Sequence, residues 1–513
     1  MKKIGVYFLN LDYGDKLTGI EVASLKRAKL FDEYLNYNVE LLSIKYRRIL
    51  NEHRDMYSRE YGFSDKIAFN NLYEYFQRSE IRKMYNDISD SIWSHSTGFN
   101  KENVIKVVNE EREIIKYIVY YEGDTQKIDY INHFVHGKKY MREQFDEYGT
   151  LSNKQYFDST QKIVREEYYR TDGTIALVKD IQKNTILLMD ECGHLYRNVT
   201  EGELIDIWIR EKIKNDDESI LFVDKNRFYY DIVKKIRNPK VHVIPIIHST
   251  FYNDPNDKIT GTLNSNYIPI WKDLDQVEKI IILTEKQKQD IAKRFGNKEK
   301  LVVIPHAISD DIEKIPFENR DPNKCILLTR LSPEKQIDKM IEIFTRVVKE
   351  IPSSTLHIYG EGKEKNKLFD MIHRNNMEDN IFIHPFTLQT KQILNESSCF
   401  LLTSNNEGFC LAAQEAISCG CPVVCFDIDY LGDYLKHDNN AIKVEKDNME
   451  QFAEEVIDLL KDNKRREFYS ENSYEIIQDF TKQAISEQWE AFIKGMLTST
   501  SDNSEDFLPS IHQ

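Results

Sequence analysis

No run of about 18 apolar residues occurs anywhere in this 513-residue chain, so no segment reads as a membrane-crossing helix. The first apolar run, Ile4–Leu9, is too short for the core of a secretory leader and reads instead as a first strand. A basic surplus is also missing. Lys and Arg total 70 against 85 Asp and Glu, a formal charge of −15, which argues against general nucleic-acid binding and leaves room only for a local basic cleft. Metal-type cysteine spacing is lacking too: the seven cysteines are odd in number, and Cys419-Gly-Cys421 with Cys425 has no second ligand pair. These three fall on a helix end and the strand Pro422–Phe426, and read as buried, reduced, cytoplasmic thiols. What remains is a globular chain, 41% hydrophobic and 30% charged, long enough for two or three cores.

Its organisation is α/β with one interruption. Residues 1–65 run strand, loop, helix, strand, the opening of a doubly wound domain. Residues 66–195 depart from that alternation, as a helical pattern over Asn70–Ser89 leads into short strand-like runs. Aromatic positions recur about every twelve residues at Phe145, Tyr156-Phe157 and Tyr168-Tyr169, with turn glycines at Gly149 and Gly173. That rhythm predicts an antiparallel β-meander inserted into the first domain, its aromatic stripe serving sheet packing. Alternating strands and helices return over 196–310. Asp310–Asn323 reads as a linker, 311–480 as a second α/β domain, 481–497 as a helix returning toward the first, and 498–513 as a flexible Ser/Asp-rich tail.

Two parallel sheets joined by a linker present a cleft at the carboxyl ends of their strands, where ligands bind. Arg330 and Lys335 follow one such strand, Gly360 the next, Pro385 and Phe386 a third, and Glu407 a fourth. Gly19 and His248 hold equivalent places in the first domain. In Leu401–Gly420 a buried strand gives way to a polar turn carrying Glu407 and then to a helix carrying Glu415, a rise of roughly 12 Å if all were helical. Between them the N–H groups of Phe409, Cys410 and Leu411 are expected to open the helix and cradle an anion. A planar guanidinium beside a mobile ammonium suits a diphosphate. The combination points to sugar–nucleotide chemistry. Asp273-Leu-Asp275 and Asp427-Ile-Asp429 could hold Mg²⁺ or Mn²⁺ against a diphosphate. Such pairs are common by chance in an acidic chain, and Arg330 with Lys335 already supplies the charge, so neither a metal nor another cofactor is expected.

Together, Glu407-x7-Glu415 and Arg330-x4-Lys335 resemble the paired signatures of the retaining GT-B glycosyltransferases of family four. Thr18-Gly-Ile-Glu21, Asp129-Tyr-Ile-Asn-His-Phe134 and His248-Ser-Thr250 are similar to the bacterial branch that glycosylates serine-rich surface adhesins, with wall teichoic acid α-glycosyltransferases sharing the layout. The resemblance implies two Rossmann-like domains facing a cleft, with Arg330 and Lys335 on the UDP diphosphate and Gly19 near it. Glu415 would hold the ribose, Glu407 the transferring sugar near its 3-hydroxyl, and His248 the reacting centre. Backbone at Pro385 and Phe386 would face uracil. The chain departs from the pattern at Cys410, where Gly, Ser or Pro is common, and at Pro385, often Gly. The implied donor is UDP-GlcNAc and the implied acceptor a Ser-rich adhesin. A second glycosyltransferase subunit or a homo-oligomer is an implied partner, and the implied location is the cytoplasm, with the inner face of the cell membrane as a peripheral alternative.

Overall fold

A computed structural model describes residues 2–14, 17–79, 82, 103–122, 124–308 and 312–502. The far half of the expected Asn70–Ser89 helix, the start of the linker and tail residues 503–513 lie outside these. The chain forms two compact units, one of Met1–Glu21, Tyr37–Leu221 and Phe228–Val241, the other of Val22–Asn36, Phe222–Arg227 and His242–Gln513.

In the first unit, strand Ile4–Asn10 pairs in parallel with Val39–Ser43, which pairs in parallel with Ile67–Asn71. Val6 to Asn10 are buried throughout, the even burial of a parallel strand covered on both faces. The helix expected from Asn70 starts later. Asn70 and Asn71 end the third strand, and the Asn71 side chain accepts the Tyr73 and Glu74 N–H groups to cap the short helix Leu72–Gln77.

Nine antiparallel strands follow in chain order, from Val104–Val108 to Leu195–Val199. Their turns explain the aromatic rhythm. Asp146 Oδ1 accepts the Tyr148 and Thr150 N–H groups at 2.9 and 2.8 Å, with Gly149 at φ 78°. Asp158 does the same around Gln161, and Asp190 around Gly193. These strands therefore end on an Asx turn with a left-handed residue before the return strand. The aromatic side chains pack as expected: Phe145 is fully buried among Val107, Ile118, Tyr120, Ile128 and Ile131, and Tyr168 lies 4.6 Å from Tyr73 and 5.0 Å from Tyr46.

The second unit contains the parallel strands Val241–Ile247 (from His242 on), Ile280–Ile282 and Leu301–Val303. It also holds a six-stranded parallel sheet of Asp321–Leu328, Thr355–Tyr359, Ile381–His384, Ser397–Leu402, Val423–Phe426 and Ala441–Val444. Numbered within that sheet, the order is 3-2-1-4-5-6, so winding reverses between its first and fourth strands. Helix Ile337–Glu350 shows why such elements form: Ile337, Met340, Ile341, Phe344 and Val347 recur at helical spacing on one buried stripe. Each contributes roughly 1.5–3 kcal/mol by leaving water. The linker is shorter than expected, because the first strand already begins at Asp321. The final helix, Lys482–Asp502, packs Trp489 5.6 Å from Phe31 and 5.3 Å from Phe222.

Candidate active site

The winding reversal in the six-stranded sheet places Arg330 and Lys335 after its first strand and Glu407 after its fourth. Backbone contacts zip the two loops together. Asn405 N–H donates to Glu334 O at 2.8 Å, and Thr403 Oγ1 donates to Lys335 O at 3.2 Å. The alignment brings Lys335 Nζ to 2.6 Å from Glu407 Oε1, which also accepts from Ser404 Oγ at 2.6 Å. Only 17% and 10% of the two charged side chains remain exposed. Burial, the largest influence, disfavours the Lys335 ammonium, but the Glu407 carboxylate outweighs it and the lysine pKa is raised. Lys335 is a fixed positive charge.

Arg330 is more open, paired with Glu334 at 2.7 Å. Gly360 lies directly against its loop: a Cβ there would meet Thr329 O at 1.8 Å, so only glycine permits this approach. Gly360 N–H donates to His384 O at 3.1 Å, tying the second strand end to the third. Pro385 and Phe386 leave that end, with Phe386 exposed. Behind them His384 stacks on Tyr359 at 4.4 Å and contacts His357 at 3.0 Å.

Gly408 carries the fourth-strand loop to His248. A Cβ at Gly408 would fall 2.3 Å from His248 O and 2.4 Å from Ser249 Cα. The His248 ring is buried, its Nε2 2.7 Å from Asp224 Oδ1. Asp224 also accepts from Arg27 at 2.7 Å. Burial, the strongest influence on Asp224, opposes its charge, yet the neighbouring Arg27 and His248 hold its pKa down at about 2. His306 stacks on His248 at 5.9 Å, nearly parallel, and meets the edge of Phe409 at 5.1 Å. Burial first, then the charges of His248, Arg27 and Lys26, push His306 well below the usual histidine range, so its ring is neutral.

The anion cradle shifts register from the sequence expectation. Helix Leu411–Ser418 begins at Leu411, with Cys410 outside it at φ 65°. The first-turn amides are therefore those of Leu411, Ala412 and Ala413, not Phe409 and Cys410. The Phe409 ring is a core group, and the Phe409 and Cys410 carbonyls both accept from Tyr434 OH. Glu407 sits in the loop and Glu415 just past the first helical turn, so the intervening chain is not two turns of helix. Glu415 is bonded to Lys26 Nζ.

Gly19 opens helix Gly19–Tyr34, where a Cβ would meet nothing within 4 Å, and Thr18 N–H donates to Glu21 there. In Asp427-Ile-Asp429 both carboxylates are engaged. Asp429 accepts from Tyr252 OH at 2.9 Å and pairs with Lys258 at 2.5 Å, Asp427 pairs with Lys443, and Asp273 precedes a 3-10 turn. Cys419, Cys421 and Cys425 are buried, as expected of packed thiols.

Sequence reasoning missed Lys26, Arg27, Asp224, His306 and Gly408. Asp224 carried a usable signal, as the first polar residue after the buried run Ile220–Val223. Lys26-Arg27 carried another: two cations on a helix otherwise burying Ala23, Leu25, Ala28, Leu30 and Phe31.

Residues 308–476 match the glycosyl transferases group 1 family. The chain is 25% identical to the poly(glycerol-phosphate) alpha-glucosyltransferase of Bacillus subtilis (strain 168), over 96% of this chain and 75% of that one. It is also 25% identical to the UDP-N-acetylglucosamine–peptide N-acetylglucosaminyltransferase GtfA subunit of Streptococcus parasanguinis, over 96% and 99%. Among solved structures, TarM superposes with a TM-score of 0.83 at 20% identity, covering 96% of this chain and 98% of that chain. The pneumococcal O-GlcNAc transferase GtfA in complex with UDP and GlcNAc gives 0.79 at 22%, covering 96% and 99%. The shared fold is GT-B. No helix among the described residues is long and apolar enough to cross a membrane.

Proposed function

We propose that this chain, which has the GT-B fold and a segment matching the glycosyl transferases group 1 model, is a glycosyltransferase that moves GlcNAc from UDP-GlcNAc onto serine hydroxyls of a Ser-rich, Ser-Asp-repeat bacterial adhesin. The observation that carries the donor half is the buried Lys335–Glu407 pair at the winding reversal, 2.6 Å apart with Arg330 on the same loop. Arg330 and Lys335 take the diphosphate, and the Leu411 helix start adds amide donors. Glu415 takes the ribose and Glu407 the sugar near its 3-hydroxyl. His248 borders the reacting centre, Gly19 and Gly360 let backbone approach the donor, and Pro385 and Phe386 face the base. Positive charge that strengthens its hold as the diphosphate departs lowers the barrier, because the interaction grows toward the transition state.

Glu407 and Glu415 are each bound to their own lysine. Retaining glycosidases instead set two carboxyls about 5 Å apart, one as nucleophile. Transfer here is therefore read as a front-face substitution: the sugar–phosphate bond breaks, the serine oxygen bonds to the same face, and the leaving phosphate takes the serine proton. The anomeric configuration is retained. No metal enters this scheme.

The peptide acceptor is favoured by Thr18-Gly-Ile-Glu21 and Asp129-Tyr-Ile-Asn-His-Phe134, the segments similar to the adhesin-glycosylating branch. The competing reading, α-glycosylation of a poly(polyol phosphate), is favoured by the likeness to the Bacillus enzyme. The meander is also the candidate surface for a second subunit or another copy. The seven unpaired cysteines support a location in the reducing cytoplasm, with the inner membrane face as a peripheral alternative. Mass spectrometry after incubation with UDP-GlcNAc and UDP-Glc in competition tests both halves. Hexosamine on a Ser-Asp-repeat peptide, and none on poly(ribitol phosphate), is expected; the reverse selects the teichoic acid reading.

A further inference from the structure

Lys26 lies in the middle of helix Gly19–Tyr34, and only 16% of its side chain is exposed. Its neighbour Arg27 is held by the buried Asp224, with the Phe222 and Trp489 rings 5.8 and 5.7 Å from its guanidinium. Lys26 bonds instead to Glu415 on helix Leu411–Ser418. It also borders a small recess together with Arg27, His306 and Trp489. Its charge reaches His306, which stacks on His248, so Lys26 shares the electrostatic neighbourhood of the proposed reacting centre.

The two carboxylates assigned to the donor are matched by two lysines, Glu407 by Lys335 and Glu415 by Lys26. A carboxylate that accepts ribose hydroxyls gives up acceptor sites now used by its ammonium. A poorly exposed ammonium cannot be left without a partner, because a stranded charge costs several kcal/mol. Lysine has a flexible stem and three rotatable donors, so it can re-aim where a guanidinium fork held by Asp224 cannot. The nucleoside diphosphate brings both what displaces Lys26 and what receives it.

We propose that Lys26 is a donor-binding residue that exchanges the Glu415 carboxylate for the diphosphate when Glu415 takes the ribose. This assignment rests on the donor reading above. It adds a cation from outside the Arg330–Lys335 loop.

The experiment is calorimetric binding of UDP and of uridine to wild type, Lys26→Met and Lys26→Arg in the full chain, with circular dichroism confirming folding. Lys26→Met weakens UDP about tenfold while uridine binds as well as or better than to wild type, because the diphosphate contact is lost and competition at Glu415 is relieved. Lys26→Arg recovers most of the UDP affinity. Unchanged or tighter UDP binding in Lys26→Met overturns the proposal, and so does an equal weakening of UDP and uridine, which marks a structural role. Should Lys26→Met fail to fold, Lys26→Gln replaces it under the same criteria. Absence of UDP binding by wild type overturns the donor reading itself, and this assignment with it.

Discussion

Replacing Lys335 by Met removes one charge and keeps most of the aliphatic stem, so two consequences separate cleanly. The first is structural. Glu407, 10% exposed, loses its cation and keeps, among the described residues, only Ser404 as a side-chain partner. Breaking a buried pair from one side costs about 3–5 kcal/mol, and the remaining Ser404 bond points to the lower end. The double variant Lys335→Met/Glu407→Gln restores most of that stability, since a neutral amide needs no counter-ion. The second consequence is catalytic. An ammonium about 4 Å from a departing phosphate, at an effective dielectric of about 20, is worth about 4 kcal/mol. Turnover therefore falls about 10³-fold in both single and double variants. Urea unfolding read alongside initial rates of labelled GlcNAc transfer gives both numbers. Turnover within tenfold of wild type in Lys335→Met, or recovery of turnover along with stability in the double variant, refutes the diphosphate role.

Other outcomes follow from the same geometry. Asp224→Asn costs about 2 kcal/mol at neutral pH, from a carboxylate held at about 2 against 3.8 in the open chain. That contribution is present above pH 3.8 and disappears as pH falls toward 2, so the stabilities of variant and wild type converge in acid denaturation curves. His306 works with the same proton balance at higher pH. Its folded pKa is depressed below 6.5, so the unfolded chain takes up a proton that the folded one refuses, and stability declines as pH drops below 6.5. His306→Gln removes that part of the slope in thermal melts between pH 7.5 and 5. Gly408→Ala forces a methyl against His248 O and Ser249 Cα, where no rotamer change gives relief. It costs about 1–3 kcal/mol and lowers kcat/KM more than Gly19→Ala, whose added methyl meets nothing at that site.

Most of the candidate site was legible because strand ends in a doubly wound sheet are predictable from apolar runs. Arg330, Lys335, Gly360, Pro385 and Glu407 all fall at such ends. Their partners were not legible, since Lys26 and Glu415 are 389 residues apart and nothing local announces the pairing. Spacing also misled at the helix start. Nothing in Glu-Gly-Phe-Cys-Leu says that Cys410 adopts a left-handed backbone and delays the helix to Leu411. Whole elements escaped where burial is polar. Helix Asn463–Ile476 buries Arg466, Tyr469, Ser470, Ser473 and Tyr474, so it shows no apolar period to detect. The strand Ile67–Asn71 ends in two asparagines, residues whose preference for helix caps hides the strand in the sequence. The meander was legible because its period is set by turn chemistry repeated at Asp146, Asp158 and Asp190.

The proposed function rests on side-chain cations, rather than a bound metal, taking up the charge released with UDP. The direct measurement is the initial rate of GlcNAc transfer to a Ser-Asp-repeat peptide in excess EDTA, compared with rates after adding Mg²⁺ or Mn²⁺. The same rate in all three conditions, with Lys335→Met inactive in each, is predicted. Loss of transfer in EDTA and its return with manganese would contradict the account.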